Sequence, residues 1–487
     1  MNIIASGNWS SNWSRSPNRS AIGNCGIRNR KPRRLKKTLL ADLLAAEILW
    51  DIEALFGRQE TDRLDLEALE TAVRRQVLQL AALAVQQRLN ADHSDGTLAH
   101  RPCPCGAAAR LAGRRTKTFQ SILGPLELER AYYHCRACGH GFCPRDRHLD
   151  LQDTSLSPAV TRMTATVGAM VSFEEGSQLL QELAGLPVDA KQVERAAEAL
   201  GAEVAADERQ DLAPASLDPL PSTLYLGVDG TGIPMRTHEL QGRSGKRADG
   251  SAKTREVKLC TVWSAEARDE ADRPVRDSGS VTYTAALESA ATLDTDALPS
   301  AFTQRVLREA TRRRFTAAAR TVVIGDGAAW IWKIAHELFP HAIQIVDRFH
   351  VQEHLSNVGK AIYGPTSKQA RIWMQRRHQQ LDRGQLPELL RALRRHADDC
   401  DEARKCLQYI QNNRARMRYP QFHQQGLCTS SGVVEAGCKV VIGTRLKRAG
   451  MHWTLRGSNA IIALRCSKLS GRFQDFWERR SQTRRAA

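Results

Sequence analysis

The sequence predicts an α/β protein whose mixed sheet is interrupted by an all-helical insertion and preceded by helical and cysteine-bearing segments. Three observations predict this class. Apolar runs that end in an aspartate occur three times between residues 224 and 347, which is typical of buried strands. Residues 351–427 look wholly helical. Residues 103–143 hold five of the 12 cysteines among short, glycine-punctuated stretches.

Composition indicates a polyanionic partner. A length of 487 residues predicts about three domains. The 71 Lys and Arg against 53 Asp and Glu give a net charge of +18, an excess typical of proteins that bind nucleic acid. No apolar stretch approaches the length of a membrane span, and no signal peptide is evident. We therefore expect no membrane association and a cytoplasmic location.

The positive charge lies at the two ends of the chain. Residues 1–37 hold nine basic and no acidic residues, and residues 436–487 hold twelve basic and two acidic residues. The first segment is interpreted as a basic, disordered leader, with a plain solubilising tail or a misassigned start site as alternatives. The second interleaves cations with apolar residues, which favours a folded phosphate-binding surface.

Residues 38–90 show apolar positions in steps of three and four, which predict helices. They are interpreted as a packing domain. A polar linker follows at 91–101.

Two cysteine pairs predict a zinc ribbon. Cys103 and Cys105 open the segment, and Cys135 and Cys138 close it after strand-like alternation. Four thiolates around short strands suit tetrahedral structural zinc. The first pair has an unusually short gap, so Cys143, His134 or His140 are alternative ligands, and a metal-free ribbon is the other interpretation.

Residues 157–202 predict two helices around a glycine turn. Ser172 and Glu175 resemble a capping box before a helix that ends at Gly185. Asp189 with Gln192 opens a second helix, predicted over Lys191–Leu200. This arrangement is typical of a DNA-reading helix-turn-helix, and equally of a helical hairpin packed on the next domain.

The next region predicts three antiparallel strands, a helix, a strand, a helix and a strand, which is the order of an RNase H-like core. The predicted elements are strands at Leu224–Met235, Val257–Val262 and Ser280–Thr284, a helix at Leu298–Arg313, a strand from Thr321 to Asp326, a helix at Trp330–Phe339 and a strand at Ala342–His350. A charged loop, Ala267–Ser278, joins the second and third strands.

Three acids are the candidate catalytic residues and Mg²⁺ ligands. Asp229 and Asp326 lie in or just after predicted strands, and Glu435 sits in a mostly apolar, helix-like run. Carboxylate oxygens are preferred ligands of Mg²⁺, and two such ions serve phosphodiester displacement. Each Asp alone could be a turn or cap residue. The three together predict a nuclease-type site.

These assignments divide the chain into eight predicted segments: a leader at 1–37, a helical domain at 38–98, a zinc-ribbon-like segment at 99–150, a possible helix-turn-helix at 151–215, core parts at 216–350 and 428–475 around a helical insertion at 351–427, and a basic tail at 476–487. The insertion holds fourteen basic and seven acidic residues.

The motifs in combination resemble the ISKra family of bacterial insertion-sequence transposases, within the wider DDE group. The resemblance rests on Val228–Met235, Gly325–Trp332, Asp347–Val351, Ser431–Glu435, Arg445–Trp453 and Cys143–Asp146, and it spans roughly residues 40–480. The basic leader has no counterpart in the family.

The resemblance implies an RNase H-like DDE enzyme that cleaves element ends with Mg²⁺ (two ions, or Mn²⁺) and joins them to target DNA. It places Asp229, Asp326 and Glu435 at catalytic positions and makes Asp347 and His350 supporting residues. The expected partners are terminal inverted repeats, target DNA and further copies of the chain, and the resemblance implies a bacterial, nucleoid-associated location. We also expect Arg445, Lys447 and Arg448 to hold DNA backbone, and Trp453 to stack on a base or pack in the core. The alternatives are a domesticated non-catalytic DNA-binding protein and a structure-directed nuclease.

Overall fold

The computed structural model describes residues 65–210, 219–245, 247–290 and 299–486, with 46, 50, 53 and 54 as isolated positions. The predicted leader, 1–37, and most of the first helical run lie outside the described residues. The chain divides into two compact units, residues 1–81 and residues 82–487. Among the described residues, no helix is long and apolar enough to cross a membrane.

The chain is a mixed α/β protein. Its first part contains α1 (Leu66–Asn90), β1 (His100–Pro102), β2 (Ala108–Ser121), β3 (Gly124–His134), β4 (Gly141–Phe142), α2 (Pro144–His148), α3 (Pro158–Met170), α4 (Phe173–Ala184) and α5 (Ala190–Gln210). Strands β1 to β4 form one antiparallel sheet in sequence order.

The predicted caps position α4 and α5. Ser172 and Glu175 form the reciprocal capping box of α4, and Gly185 ends the helix in the left-handed conformation. Asp189 and Gln192 exchange side-chain and backbone hydrogen bonds at the start of α5. Helix α5 continues to Gln210, ten residues beyond the predicted end at Leu200.

The predicted end at Leu200 is wrong, because the helix continues through Gly201. A Cβ atom at Gly201 would lie 2.2 Å from the carbonyl oxygen of Ala460. The glycine therefore permits a close crossing of two helices, and the alanine-rich sequence beyond it continues the helix.

The second part carries the larger sheet. Its elements are β5 (Thr223–Pro234), β6 (Thr254–Ser264), β7 (Ala267–Arg268), β8 (Pro274–Val275), β9 (Thr282–Ala286), α6 (Ala301–Arg312), β10 (Arg320–Gly325), α7 (Ala329–Leu338) and β11 (Ile343–Val346). The strand order is β11-β10-β5-β6-β9. Strands β11, β10 and β5 are parallel to one another, whereas β6 and β9 are antiparallel to their neighbours.

The last predicted strand was too long. It ends at Val346, and Asp347 is the N-cap of the following helix, accepting a hydrogen bond from the Phe349 amide. An aspartate side chain satisfies a free amide at a helix start, and this overrides continuation of the strand.

Helices then occupy most of the chain to its end. They are α8 (Arg348–Tyr363), α9 (Lys368–Asp382), α10 (Leu386–Arg394), α11 (Asp401–Asn413), α12 (Tyr419–Gln424), α13 (Gly432–Gly437), a π-helical stretch (Cys438–Gly443), α14 (Thr444–Leu446), α15 (Leu455–Leu469) and α16 (Phe473–Ala486). The five helices from α8 to α12 form the predicted all-helical segment.

The larger sheet is covered on both faces. One apolar core packs α6, α7 and the helices α8 to α12 against residues such as Leu226 and Val262. A second core packs α5, α15 and the run from Val434 to Leu446 against residues such as Val257 and Leu259. The segment that carries Glu435 is thereby held against the sheet beside β5.

Candidate metal centre

The register of the parallel strands brings three aspartates to one edge of the larger sheet. Ile324 pairs with Gly227, so Asp326 and Asp229 each stand two residues further along neighbouring strands. Gly325 pairs with Val346, so Asp347 follows at the level of Asp326. Strand β5 continues to Pro234, so Asp229 lies inside it, level with the carboxyl ends of β10 and β11, where ligands bind in parallel sheets.

Helix α13 crosses β5 closely because β5 has a glycine at the crossing. A Cβ atom at Gly227 would lie 3.1 Å from Cβ of Val434. One turn later, the Cys438 thiol lies 3.4 Å from Oδ2 of Asp229. Glu435 and Cys438 are three residues apart, so they share a face of the helical run. Glu435 is therefore carried to the edge where Asp229 lies.

Asp229 and Asp326 are both half-buried. Burial raises the pKa of Asp229, against the effect of a hydrogen bond from the Gly230 amide. The negative charge of Asp326 raises it further. Both effects disfavour the charged form of Asp229, and a bound cation would relieve that cost.

The turn after β10 is held by the helical segment. Gly327 has φ of +103°, a conformation that glycine adopts without strain. The hydroxyl of Tyr409, on α11, donates a 2.6 Å hydrogen bond to the backbone carbonyl of Asp326. The Asp326 carboxylate accepts from the Ala328 amide at 2.9 Å. The position of Asp326 thus depends on α11 as well as on the sheet.

Asp347 is fully buried and ties Ser431 to the end of β11. Its Oδ2 accepts hydrogen bonds from the Ser431 amide, at 2.7 Å, and from the Ser431 hydroxyl. The Ser431 Oγ also lies 3.2 Å from Oε1 of Glu435. Since α13 starts at the next residue, this contact fixes where the Glu435 helix begins. Sequence reasoning missed Ser431, although it stands inside the motif that ends at Glu435.

His350 completes a group with the two carboxylates. Its Nδ1 lies 3.5 Å from Oδ2 of Asp347 and 3.7 Å from Oε1 of Glu435. Interaction with Asp347 raises the pKa of His350 to about 9, against the effect of burial. Burial raises the pKa of Asp347, but interaction with His350 and hydrogen bonds from Ser431 outweigh it, so the net shift is downward. We therefore treat His350 as a cation between two acids.

Two clusters of metal-ligating atoms occur in the part of the chain that the structure describes. In each, the ligand atoms all lie within 4.8 Å of one another: one is Asp347, His350 and Glu435, and the other is Cys103, Cys105, Cys135 and Cys138. The predicted trio of Asp229, Asp326 and Glu435 is not so tightly grouped. In a site with two ions about 4 Å apart, ligand atoms on the outer sides of the two ions can be roughly 8 Å from each other. A two-ion site therefore does not require all three carboxylates to lie within 4.8 Å of one another.

The four cysteines converge despite the short gap between Cys103 and Cys105. The Sγ atoms of Cys103 and Cys138 are 3.6 Å apart, as are those of Cys105 and Cys135. Each pair sits on a turn closed by a glycine with positive φ, Gly106 or Gly139. Cys143 and the two histidines considered as substitutes are not in the cluster.

The structure corrects the surface role expected for Arg445, and of the two roles expected for Trp453 it shows core packing instead of base stacking. Arg445 is fully buried; its Nε donates to the Gly168 carbonyl at 3.0 Å, and its guanidinium lies over the rings of Phe173 and Trp453. Trp453 is 6% exposed and donates from Nε1 to the Leu446 carbonyl. Both are packing residues, and neither is available for a phosphate or a base.

Lys447 and Arg448 are exposed, in different settings. The Lys447 ammonium contacts Oγ1 of Thr231, two residues beyond Asp229 on β5. Arg448 is bound by Glu175, with Nη2 2.6 Å from Oε1. Lys447 is therefore the better placed of the two for a ligand at the acidic edge.

Arg445→Ala is expected to lower the free energy of unfolding by about 2–4 kcal/mol, because it leaves a cavity between two aromatic rings and an unpaired carbonyl. Lys447→Ala, a matched exposed change two residues away, is expected to leave it nearly unchanged. Denaturant titration of both variants measures the difference. Equal stability of the two would contradict the packing role of Arg445.

Comparison with known proteins adds a partial match. The profile of a family described as "Uncharacterised protein family (UPF0236)" matches residues 311–481, a range that includes Asp326 and Glu435 and begins after Asp229. The search of curated proteins found no match. The solved structure "Drosophila P element transposase strand transfer complex" is 12% identical, over 69% of this chain and 84% of that chain, with a TM-score of 0.25.

Proposed function

We propose that this chain is a DDE transposase of a bacterial insertion sequence, which binds element ends and catalyses Mg²⁺-dependent DNA cleavage and strand transfer. One observation carries the proposal. Asp229 and Asp326 stand level on neighbouring parallel strands, and Glu435 reaches the same edge from a helix tied there by Ser431 and Asp347.

The sheet supports an RNase H-like core. Its first three strands, β5, β6 and β9, form an antiparallel meander, and β10 and β11 extend the sheet in parallel on the other side of β5. That order and those directions are the ones expected of such a core. The helical segment α8 to α12 separates β11 from the helix with Glu435, as an insertion in that core would.

The donor set fits Mg²⁺ or Mn²⁺. Asp229, Asp326 and Glu435 offer carboxylate oxygens, which are hard ligands, and a buried Asp229 beside another carboxylate favours a cation. These three residues would hold the ions. The chemistry that two divalent ions supply at such a site is a more acidic attacking water and stabilisation of the leaving oxygen.

The other residues of the edge position the acids. Asp347 holds Ser431 at the start of α13, and Ser431 and His350 both lie beside Oε1 of Glu435. A protonated His350 offsets part of the negative charge that a DNA phosphate would meet. Lys447, exposed beside Thr231, adds a second cation near β5.

The four-cysteine cluster is proposed to hold one structural Zn²⁺. Four thiol ligands fill a tetrahedral site, so this ion would stabilise the segment without taking part in chemistry. We propose that the zinc segment and the helices α4 and α5 contribute to DNA binding, and that the chain acts as a dimer or larger oligomer on DNA.

The proposal is tested by incubating the purified chain with labelled duplexes that carry the terminal repeats flanking its gene. We expect DNA strand cleavage at the repeat ends in the presence of Mg²⁺ and no cleavage when a chelator is added. End binding without cleavage would indicate a non-catalytic DNA-binding protein instead. Cleavage of branched DNA irrespective of the ends would indicate a structure-directed nuclease.

Ser431→Ala is expected to slow cleavage by about 10- to 100-fold, the effect typical of residues that orient metal ligands. The change removes the hydroxyl beside Glu435 while the backbone amide still holds Asp347. The control is Ser430→Ala, whose hydroxyl accepts from the Gly432 amide and contacts none of the acids. Single-turnover rates of both variants provide the measurement. Equal cleavage rates in Ser431→Ala and Ser430→Ala would contradict the positioning role proposed for Ser431.

A further inference from the structure

The helical segment contains a basic cavity at the end of α8 remote from the acids. Its volume is about 380 Å³, and helices α9 and α10 form its other walls. The residues that matter to the argument are Tyr363, Trp373, Arg376, Arg377, Arg395 and His396. Cations and aromatic rings lining one concave site are the chemistry that proteins use for phosphate-bearing ligands.

The arginines of this cavity lack acidic partners. Arg377 is 6% exposed, and its Nε has no hydrogen-bond partner. Its guanidinium lies 5.5 Å from the centre of the Trp373 ring. In the described parts of the chain, no carboxylate oxygen lies within 4.0 Å of Arg376, Arg377 or Arg395. Burial lowers the pKa of Arg377, and the like charges of Arg376 and Arg395 lower it further.

Several other buried arginines of the described residues have partners, which are carboxylates or, for Arg445 and Arg465, backbone carbonyls. Arg305 binds Glu288 at 2.6 Å, and Arg472 binds Glu309 at 2.8 Å. Leaving a buried guanidinium nitrogen without a hydrogen-bond partner is costly, and an anion in the site would offset that cost. The cavity is therefore built for an anion that comes from outside the chain.

We propose that this cavity binds a backbone phosphate of the DNA substrate through Arg376, Arg377 and Arg395. The assignment to DNA rests on the proposed function; the phosphate chemistry rests on the cavity alone. Arginine suits phosphate because its planar fork can donate two parallel hydrogen bonds.

The distance along α8 gives the position of that phosphate. His350 and Tyr363 lie thirteen residues apart on this one helix. At 1.5 Å per residue, the cavity is about 20 Å from the acidic edge. That distance corresponds to about six base pairs of B-form DNA at 3.4 Å each. The cavity would hold DNA about half a helical turn from the scissile phosphate.

The test compares two double variants with the same loss of charge. Arg376→Gln with Arg395→Gln removes two exposed cavity cations. Arg371→Gln with Arg391→Gln removes two exposed cations from the same helices outside the cavity. Both are made in the full chain with Asp326→Asn, so binding to a labelled duplex is measured without cleavage. Failure of the proposed catalytic function therefore does not affect this assay.

The cavity variant is expected to bind the duplex at least about tenfold more weakly than the parent. The slope of log K against log salt concentration should also become shallower by nearly two, because each lost phosphate contact contributes about 0.9 to that slope. The control should stay within about twofold of the parent. Equal effects in both double variants would overturn the proposal.

A second arm separates DNA from free phosphate. Inorganic phosphate, compared with chloride at equal ionic strength, should raise the melting temperature of the parent and the control but not that of the cavity variant. If this thermal effect is seen while duplex binding is the same in all three proteins, the DNA assignment is overturned and the site takes a free phosphate. If neither effect is seen, the cavity is not a phosphate site.

Discussion

Asp229→Asn, Asp326→Asn and Glu435→Gln are each expected to slow DNA strand cleavage by at least about 1000-fold, which is about 4 kcal/mol of activation free energy. The amide keeps the shape of each side chain and removes the charge that would hold a divalent ion. Single-turnover cleavage of labelled ends in Mg²⁺ measures the loss. Binding of the ends is expected to stay largely intact.

Glu353→Gln is the matched control for these variants. Glu353 is an exposed carboxylate on α8, one turn beyond the acidic edge, and its change removes the same charge. It should cleave at the parental rate. A member of the trio whose amide variant retains near-parental cleavage would not be a metal ligand. If Glu353→Gln lost as much cleavage activity as the trio variants, the loss would reflect the removal of any negative charge and not the loss of a metal ligand.

Cys135→Ser is expected to reduce bound zinc from one ion per chain to near zero and to destabilise the cysteine-bearing segment. Cys135 is fully buried, with its thiol 3.6 Å from that of Cys105. Structural zinc contributes about 10–16 kcal/mol of apparent binding free energy in small zinc domains, so the effect on the local fold should be large.

Elemental analysis after washing with a chelator measures the zinc, and thermal unfolding measures the stability. Cys143→Ser is the control, because Cys143 lies in the same segment and outside the four-thiol cluster. It should retain zinc. The zinc assignment fails if the parent contains no zinc or if Cys143→Ser loses as much of it.

The acidic strand ends could be predicted from the sequence because they depend on local pattern. The apolar runs before Asp229 and Asp326 predict buried strands, and the parallel register sets Asp229, inside β5, level with Asp326, just after β10. The helical segment from α8 to α12 was also readable from periodicity. The mixed α/β class is confirmed, whereas the eight segment boundaries and the ISKra resemblance remain predictions.

What the sequence did not reveal depends on contacts between distant residues. The sequence predicted Arg445 as a surface cation that binds DNA. This was wrong because its hydrogen-bond partner, the Gly168 carbonyl, lies 277 residues earlier in the chain. Ser431 gained its role only when the fold brought it to Asp347, 84 residues away. The basic cavity likewise requires three helices packed together, and no local pattern encodes it. Periodicity predicts which face of a helix or strand is buried, but it does not predict which residues pack against that face.

The most direct test of the account is iron-mediated cleavage of the polypeptide. Fe²⁺ in place of Mg²⁺, with ascorbate and peroxide, generates hydroxyl radicals that cut the chain beside the bound metal. Asp229, Asp326 and Glu435 are far apart in sequence but are proposed to share one site. We expect cuts near all three, suppressed by excess Mg²⁺ and by Asp326→Asn, with Cys135→Ser used to remove any iron at the cysteine cluster. Cuts confined to one of the three segments, or cuts that persist in Asp326→Asn, would contradict a shared metal centre.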